Sequence, residues 1–202
     1  QKIKQADWII EVIIENLEIK KQLFEQIEKH RSPGTIISSN TSGIPINKMI
    51  SDRSEDFCKY FCGTHFFNPP RYLKLLEIIP SQKTNPYLIS FLMSYGEKFL
   101  GKTTVLCKDT PAFIANRIGI AGIAALFKLS EELDMSVEEI DTLTGPIIGR
   151  PKSATFRTSD LVGLDTLNSV AEGVYNHCRD DEQRNIFNLP SFIKKMLKNQ
   201  WL

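Results

Sequence analysis

The 202 residues are enough to bury a sizeable core, as one large domain or two small ones, and 42% hydrophobic with 24% charged residues is ordinary for a water-soluble globular chain. A net charge of +1 gives no electrostatic reason to expect nucleic acid or an anionic membrane as a partner. Cys58, Cys62, Cys107 and Cys178 are too few and scattered for a disulfide framework, which fits a reducing, cytoplasmic setting.

In chain order, the β-branched run 8–14 (Trp-Ile-Ile-Glu-Val-Ile-Ile) reads as a buried parallel strand. A helix is expected over 17–30, with Leu17, Leu23, Phe24 and Ile27 at helical spacing, and Ser32-Pro33-Gly34 breaks it. Strand 35–39 runs into the polar tetrad Ser39-Asn40-Thr41-Ser42. Strand 61–67 stops at Asn68-Pro69-Pro70, and strand 73–79 is closed by Pro80. A helix over 85–100 and a strand over 103–107 complete an alternation that predicts an α/β layer on a mainly parallel sheet.

After Asp109-Thr110-Pro111 only helices are expected. Residues 113–133 form a long helix rich in small residues, with Gly119, Ala121, Gly122 and Ala124 admitting close approach of a second helix. Ser136-Val137-Glu138-Glu139 is a capping box opening a short helix that Gly145-Pro146 ends. Further helices are expected over 164–177 and from 191 to the end. The domain boundary is placed at Asp109, dividing the chain into 1–109 and 110–202. The longest apolar stretch, 118–127, falls short of the about 20 residues that span a bilayer, and no signal peptide opens the chain.

His65 and Glu77 stand on successive strands whose connection centres on residue 71. If those strands form a hairpin, the even separation puts the two side chains opposite each other on one face. A carboxylate beside an imidazole fixes its tautomer and stabilises its protonated form, which suits a general base. Spacing alone does not set that reading above a pair kept only for stability. The tetrad at 39–42 lies at a strand C-terminus, where open α/β sheets bind ligands, although it could equally cap the next turn. Asn116 sits among apolar residues, so its amide is either satisfied by backbone or faces a cleft. Arg117 is either solvated or bridges the domains, and Glu15 and Lys20 read as ordinary charges flanking a strand-to-helix turn. Cys58-x3-Cys62-x2-His65 makes a poor metal site, because Cys62 and His65 differ by an odd number and project to opposite faces of a strand.

Five blocks in order closely resemble the signature of the 3-hydroxyacyl-CoA dehydrogenase family. They are Glu15-Asn16-Leu17; Ser39-Asn40-Thr41-Ser42; Gly63-Thr64-His65-Phe66-Phe67-Asn68-Pro69-Pro70 with Leu75-Leu76-Glu77-Ile78-Ile79; Lys108-Asp109-Thr110-Pro111 with Phe113-Ile114-Ala115-Asn116-Arg117; and Leu161-Val162-Gly163-Leu164-Asp165. The resemblance implies a Rossmann-type NAD-binding domain, incomplete at its N-terminus, followed by an all-helical domain that mediates dimerisation. It implies oxidation of (3S)-3-hydroxyacyl-CoA to 3-oxoacyl-CoA with NAD, in fatty-acid β-oxidation. His65 would be the base and Glu77 its acidic partner. Ser42 and Asn116 would bind the substrate's oxygens, and Glu15, Lys20, Ser42 and Asn68 would contact NAD. The stretch 144–158 resembles a bacterial subgroup fused to an enoyl-CoA hydratase-type domain.

Two departures matter. None of the 11 glycines forms the Gly-x-Gly-x-x-Gly loop that meets a pyrophosphate, so the chain on its own is expected to bind NAD weakly and turn over poorly. Ala112 also stands where the family usually has glycine. The alternative function is a non-catalytic acyl-CoA-binding or dimerisation module that keeps the signature by descent.

Overall fold

A computed structural model describes residues 2–201, in two units, Gln1–Phe113 and Ile114–Leu202. The first is built on a five-stranded sheet in the order β1 (Trp8–Glu11), β2 (Ile36–Ser39), β3 (Phe61–Phe66), β4 (Leu75–Pro80), β5 (Thr103–Leu106). β1, β2 and β3 run parallel, β4 turns back antiparallel to β3, and β5 runs parallel to β4. The C-terminal ends of β1 to β3 and the start of β4 therefore lie at one end of the sheet.

Side-chain alternation assigns the two faces. Ile37, Phe61 and Ile79 point to the face covered by α1 (Leu17–His30), α2 (Ile46–Met49) and α3 (Glu55–Lys59). Cys62, Leu76 and Ile78 point to the other face, covered by α4 (Pro86–Leu100). The first core centres on Phe24, Phe57 and Phe61, all fully buried, with ring centroids 5.0–5.9 Å apart. Each such burial contributes about 1.5–3 kcal/mol. Gly63 belongs to this close packing, since a Cβ there would stand 2.8 Å from Ile46 Cδ1 and 3.1 Å from Ile79.

Helix ends follow the expected chemistry. Asn16 caps α1 by accepting from the Ile19 amide at 3.1 Å. Asn85 caps α4, which ends at Gly101 in the left-handed conformation (φ 62°).

The first strand departs from expectation. It stops at Glu11, because the Glu11 carboxylate accepts from the Ile13 amide at 2.6 Å and turns the chain out of the sheet. β1 is also an edge strand among the described residues, and Ile10, Val12, Ile13 and Ile14 are exposed rather than buried. The short helices α2 and α3 were not expected from the sequence. The division between units falls after Phe113, beyond the Asp109 read from the sequence. Asp109 accepts from the amides of Ile46 and Asn47 and from Asn47 Nδ2 at 2.7–2.9 Å, and Phe113 packs into the first core.

The second unit is helical: α5 (Ala115–Glu132), α6 (Val137–Thr144), α7 (Phe156–Val162), α8 (Leu164–His177) and α9 (Ser191–Lys198). Its interior includes Phe127, Phe156, Leu167, Ala171, Val174 and Ile193. The Ser136–Glu139 capping box is formed in both directions. Helix α7, unexpected from the sequence, starts where the Asp141 carboxylate accepts the amides of Thr155, Phe156 and Arg157. Of the small residues expected to admit a second helix along α5, Ala124 is fully buried. A Cβ on Gly119 would meet nothing within 4 Å, so glycine is not required there by packing within the described residues. Arg117 pairs with Asp181 inside this unit. No helix among the described residues is long and apolar enough to cross a membrane.

Candidate active site

The antiparallel register of β3 and β4 sets His65 directly across from Glu77, symmetric about residue 71. Both project to the α1 face of the sheet, and both are buried, His65 at 4% and Glu77 at 1% exposure. His65 Nδ1 lies 2.7 Å from Glu77 Oε2. The imidazole is flanked edge-on by Phe67 (centroids 4.5 Å) and Phe113 (5.6 Å). With Nδ1 donating to the carboxylate, Nε2 is the nitrogen whose lone pair can take a proton. The apolar ring walls hold the plane of the imidazole, and the carboxylate fixes its tautomer.

Next to this pair, on the same sheet face, the ends of β1 and β2 are tied by two carboxylates. Ser39 Oγ donates to Glu11 Oε2 at 2.6 Å. Asn40 bridges strands, its Oδ1 accepting from the Phe66 amide at 2.8 Å. Glu15 Oε1 accepts from Thr41 Oγ1 at 2.5 Å and from the amides of Ser42 and Gly43 at 2.9 and 3.1 Å. Thr41 Oγ1 accepts in turn from the Ile44 amide at 3.0 Å. The tetrad is thus a clamped loop at the end of β2. Ser42 is half-buried and Asn68, just past β3, is exposed.

Lys20 corrects the reading of an ordinary helix-end charge. Its side chain is 1% exposed, and Nζ reaches Glu11 Oε1 at 2.7 Å, the Ile13 carbonyl at 3.1 Å and Glu15 Oε2 at 3.4 Å. Two hydrogen bonds and one ion-pair contact turn the ammonium inward onto the protein's own acceptors. Glu11 was not singled out in the sequence. Its pairing with Ser39 and Lys20 depends on the β1–β2 register, which no local pattern encodes; the one signal available was a carboxylate inside an otherwise apolar strand.

Asn116 lies in the first turn of α5 in the second unit and is half-buried. Cys62 faces α4, away from His65, and burial pushes its thiol up to about 12, so it is no nucleophile. Among the described residues no cluster of His, Cys, Asp and Glu is arranged to hold a metal.

The loop after β1 exposes the apolar side chains of Val12, Ile13 and Ile14 immediately before Glu15, a surface on which a flat ring can lie, with the clamped Ser42 loop beside it. A pyrophosphate cradle, made by a glycine-rich turn feeding a helix N-terminus, is not among the described residues.

Comparison with known proteins also divides the chain in two. Residues 1–110 match the family description "3-hydroxyacyl-CoA dehydrogenase, NAD binding domain", and residues 113–202 match "3-hydroxyacyl-CoA dehydrogenase, C-terminal domain". A probable 3-hydroxyacyl-CoA dehydrogenase of Bacillus subtilis is 52% identical over 202 residues, covering 100% of this chain and 26% of its own length. A putative fatty acid oxidation complex trifunctional enzyme of Rickettsia prowazekii is 32% identical, with 98% of this chain and 28% of that protein covered. The crystal structure of (S)-3-hydroxybutyryl-CoA dehydrogenase from Ralstonia eutropha superposes with a TM-score of 0.89 at 29% identity, over 100% of this chain and 68% of that one. The chain thus spans about a quarter of these two sequence relatives. With both halves matched in order and the sheet and helical units folded accordingly, the chain belongs to the 3-hydroxyacyl-CoA dehydrogenase family.

Proposed function

We propose that this chain is the dehydrogenase module of an enzyme that oxidises (3S)-3-hydroxyacyl-CoA to 3-oxoacyl-CoA in fatty-acid oxidation, with His65 as the base. The observation that carries this reading is the buried 2.7 Å contact between His65 Nδ1 and Glu77 Oε2. Nε2 of His65 removes the proton from the substrate's C3 hydroxyl. Glu77 offsets the positive charge that forms on the ring, an attraction on the order of 4 kcal/mol for charge centres about 4 Å apart at an effective dielectric near 20, before desolvation. Phe67 and Phe113 keep the imidazole from rotating and exclude water from it.

NAD, when bound, supplies the hydride acceptor; in this chain Ser42, Asn68 and Glu15, with Lys20 behind Glu15, would hold it. The Ser42 hydroxyl and the Asn116 amide bind the substrate's oxygens and aim C3, a positional contribution that raises the effective concentration of reacting groups. Lys20 supports this arrangement from beneath the loop. The helical unit serves dimerisation, and the module is carried in a longer, multifunctional polypeptide with a hydratase-type domain, acting in the cytoplasm. The lengths of the Bacillus and Rickettsia relatives support the longer polypeptide.

An acetoacetyl-CoA reduction assay with NADH on the full-length protein tests the assignment. Steady NADH consumption is expected. Firm acyl-CoA binding without any NADH oxidation would instead support the non-catalytic binding module.

A further inference from the structure

The proton transfer does not use Glu11, and the resemblance gives it no task. Glu11 is nevertheless held on both carboxylate oxygens at this end of the sheet. Its side chain is fully buried and accepts from three different elements: the Ile13 amide after β1 (2.6 Å), Ser39 Oγ at the end of β2 (2.6 Å) and Lys20 Nζ on α1 (2.7 Å). Lys20 then extends to Glu15 Oε2 at 3.4 Å, and Glu15 Oε1 clamps Thr41, Ser42 and Gly43.

We propose that Glu11 is a positioning residue, acting through Lys20 and Glu15 on the Ser42–Gly43 backbone. The inference rests on the function proposed above, in which that loop orients substrate and cofactor. One buried ammonium is shared unequally between two carboxylates, 2.7 Å from Glu11 and 3.4 Å from Glu15. The nearer carboxylate keeps Lys20 seated. The farther one is held by only one oxygen, which leaves the other free for the loop amides. Remove the charge of Glu11 and a desolvated ammonium must find its counter-charge in Glu15. Glu15 is half-exposed and can move. Drawn toward Lys20, it releases the amides of Ser42 and Gly43.

The test uses full-length enzyme carrying Glu11→Gln, Glu15→Gln, both together, and Glu11→Gln with Lys20→Met. Amide hydrogen exchange at Ser42 and Gly43 reads the clamp directly, without turnover. Exchange there is expected to speed up at least about tenfold in Glu11→Gln while β3 amides keep their protection. In parallel kcat/KM should fall by about 10- to 100-fold, the scale of a small misplacement of reacting groups. Glu11→Gln with Glu15→Gln should be no worse than Glu15→Gln alone, because both act on one clamp. Removing both charges with Glu11→Gln and Lys20→Met should restore Tm toward wild type but not kcat/KM, which separates positioning from mere stability. Unchanged exchange at Ser42 and Gly43, losses that multiply in the double variant, or a lowered Tm with normal kinetics would each overturn the proposal. If Glu11→Gln does not accumulate, Glu11→Asp, which retracts the carboxylate by one methylene, carries the same readouts. A wild-type enzyme inactive on hydroxyacyl-CoA would overturn the functional reading, while the exchange experiment would still decide the role of Glu11.

Discussion

Two acid–base pairs lie on one face of the same sheet, and they are built for opposite purposes. His65 with Glu77 spans a hairpin, and its ring keeps one nitrogen uncommitted to the carboxylate. Lys20 with Glu11 spans a strand and a helix, and the ammonium is committed to Glu11, the Ile13 carbonyl and, at ion-pair distance, Glu15. Burial is nearly equal in the two, so burial alone does not mark a reactive group. What differs is spare valence: a pair with an uncommitted lone pair can move a proton, whereas a saturated pair can only hold geometry. The Arg117–Asp181 pair in the second unit gives a third, more exposed point of reference.

The comparison breaks most visibly at Lys20. Lys20→Met leaves Glu11 charged and buried without its main partner and should cost about 3–5 kcal/mol of stability, read by chemical denaturation of the full-length protein. A cost below about 1 kcal/mol would show that the Lys20–Glu11 pair does not hold the fold. Glu77→Gln should leave the fold nearly intact and lower kcat by about 100-fold, equivalent to about 2.7 kcal/mol in the barrier. Loss of fold rather than of rate would make Glu77 a structural residue and not the partner of a base.

The smallest effect belongs to Asp181. The hydrogen bond from the Arg117 guanidinium holds its carboxyl below the ordinary value. A depressed carboxyl contributes stability that is fully present above its unfolded value and is lost as pH falls through the lowered one. Asp181→Asn should therefore lower Tm slightly at neutral pH, by less than Lys20→Met does, with the difference vanishing in acid. A difference that persisted or grew in acid would contradict the pairing.

Much of the first unit was legible in the sequence because its rules are local. Given a hairpin, strand parity about the turn at Asn68-Pro69-Pro70 sets His65 opposite Glu77, and the observed antiparallel register agrees. Helix α1 announced itself through its apolar spacing and α6 through its capping box. Lys20 misled because a lysine in the first turns of an amphipathic helix ordinarily faces water, whereas its burial is dictated by Glu11, nine positions earlier on a different element. The run at 8–14 looked like one strand because Val12, Ile13 and Ile14 are β-branched. Glu11 ends it by binding the Ile13 amide, a side-chain event that composition does not reveal. Helices α2, α3 and α7 are too short to show a period.

The central claim, that His65 takes the hydroxyl proton, is tested most directly by His65→Gln in the full-length enzyme, with single-turnover oxidation and acyl-CoA affinity measured on the same preparation. The account predicts a loss of about 10²- to 10⁴-fold in the oxidation rate with acyl-CoA affinity retained. Oxidation at the wild-type rate would contradict it.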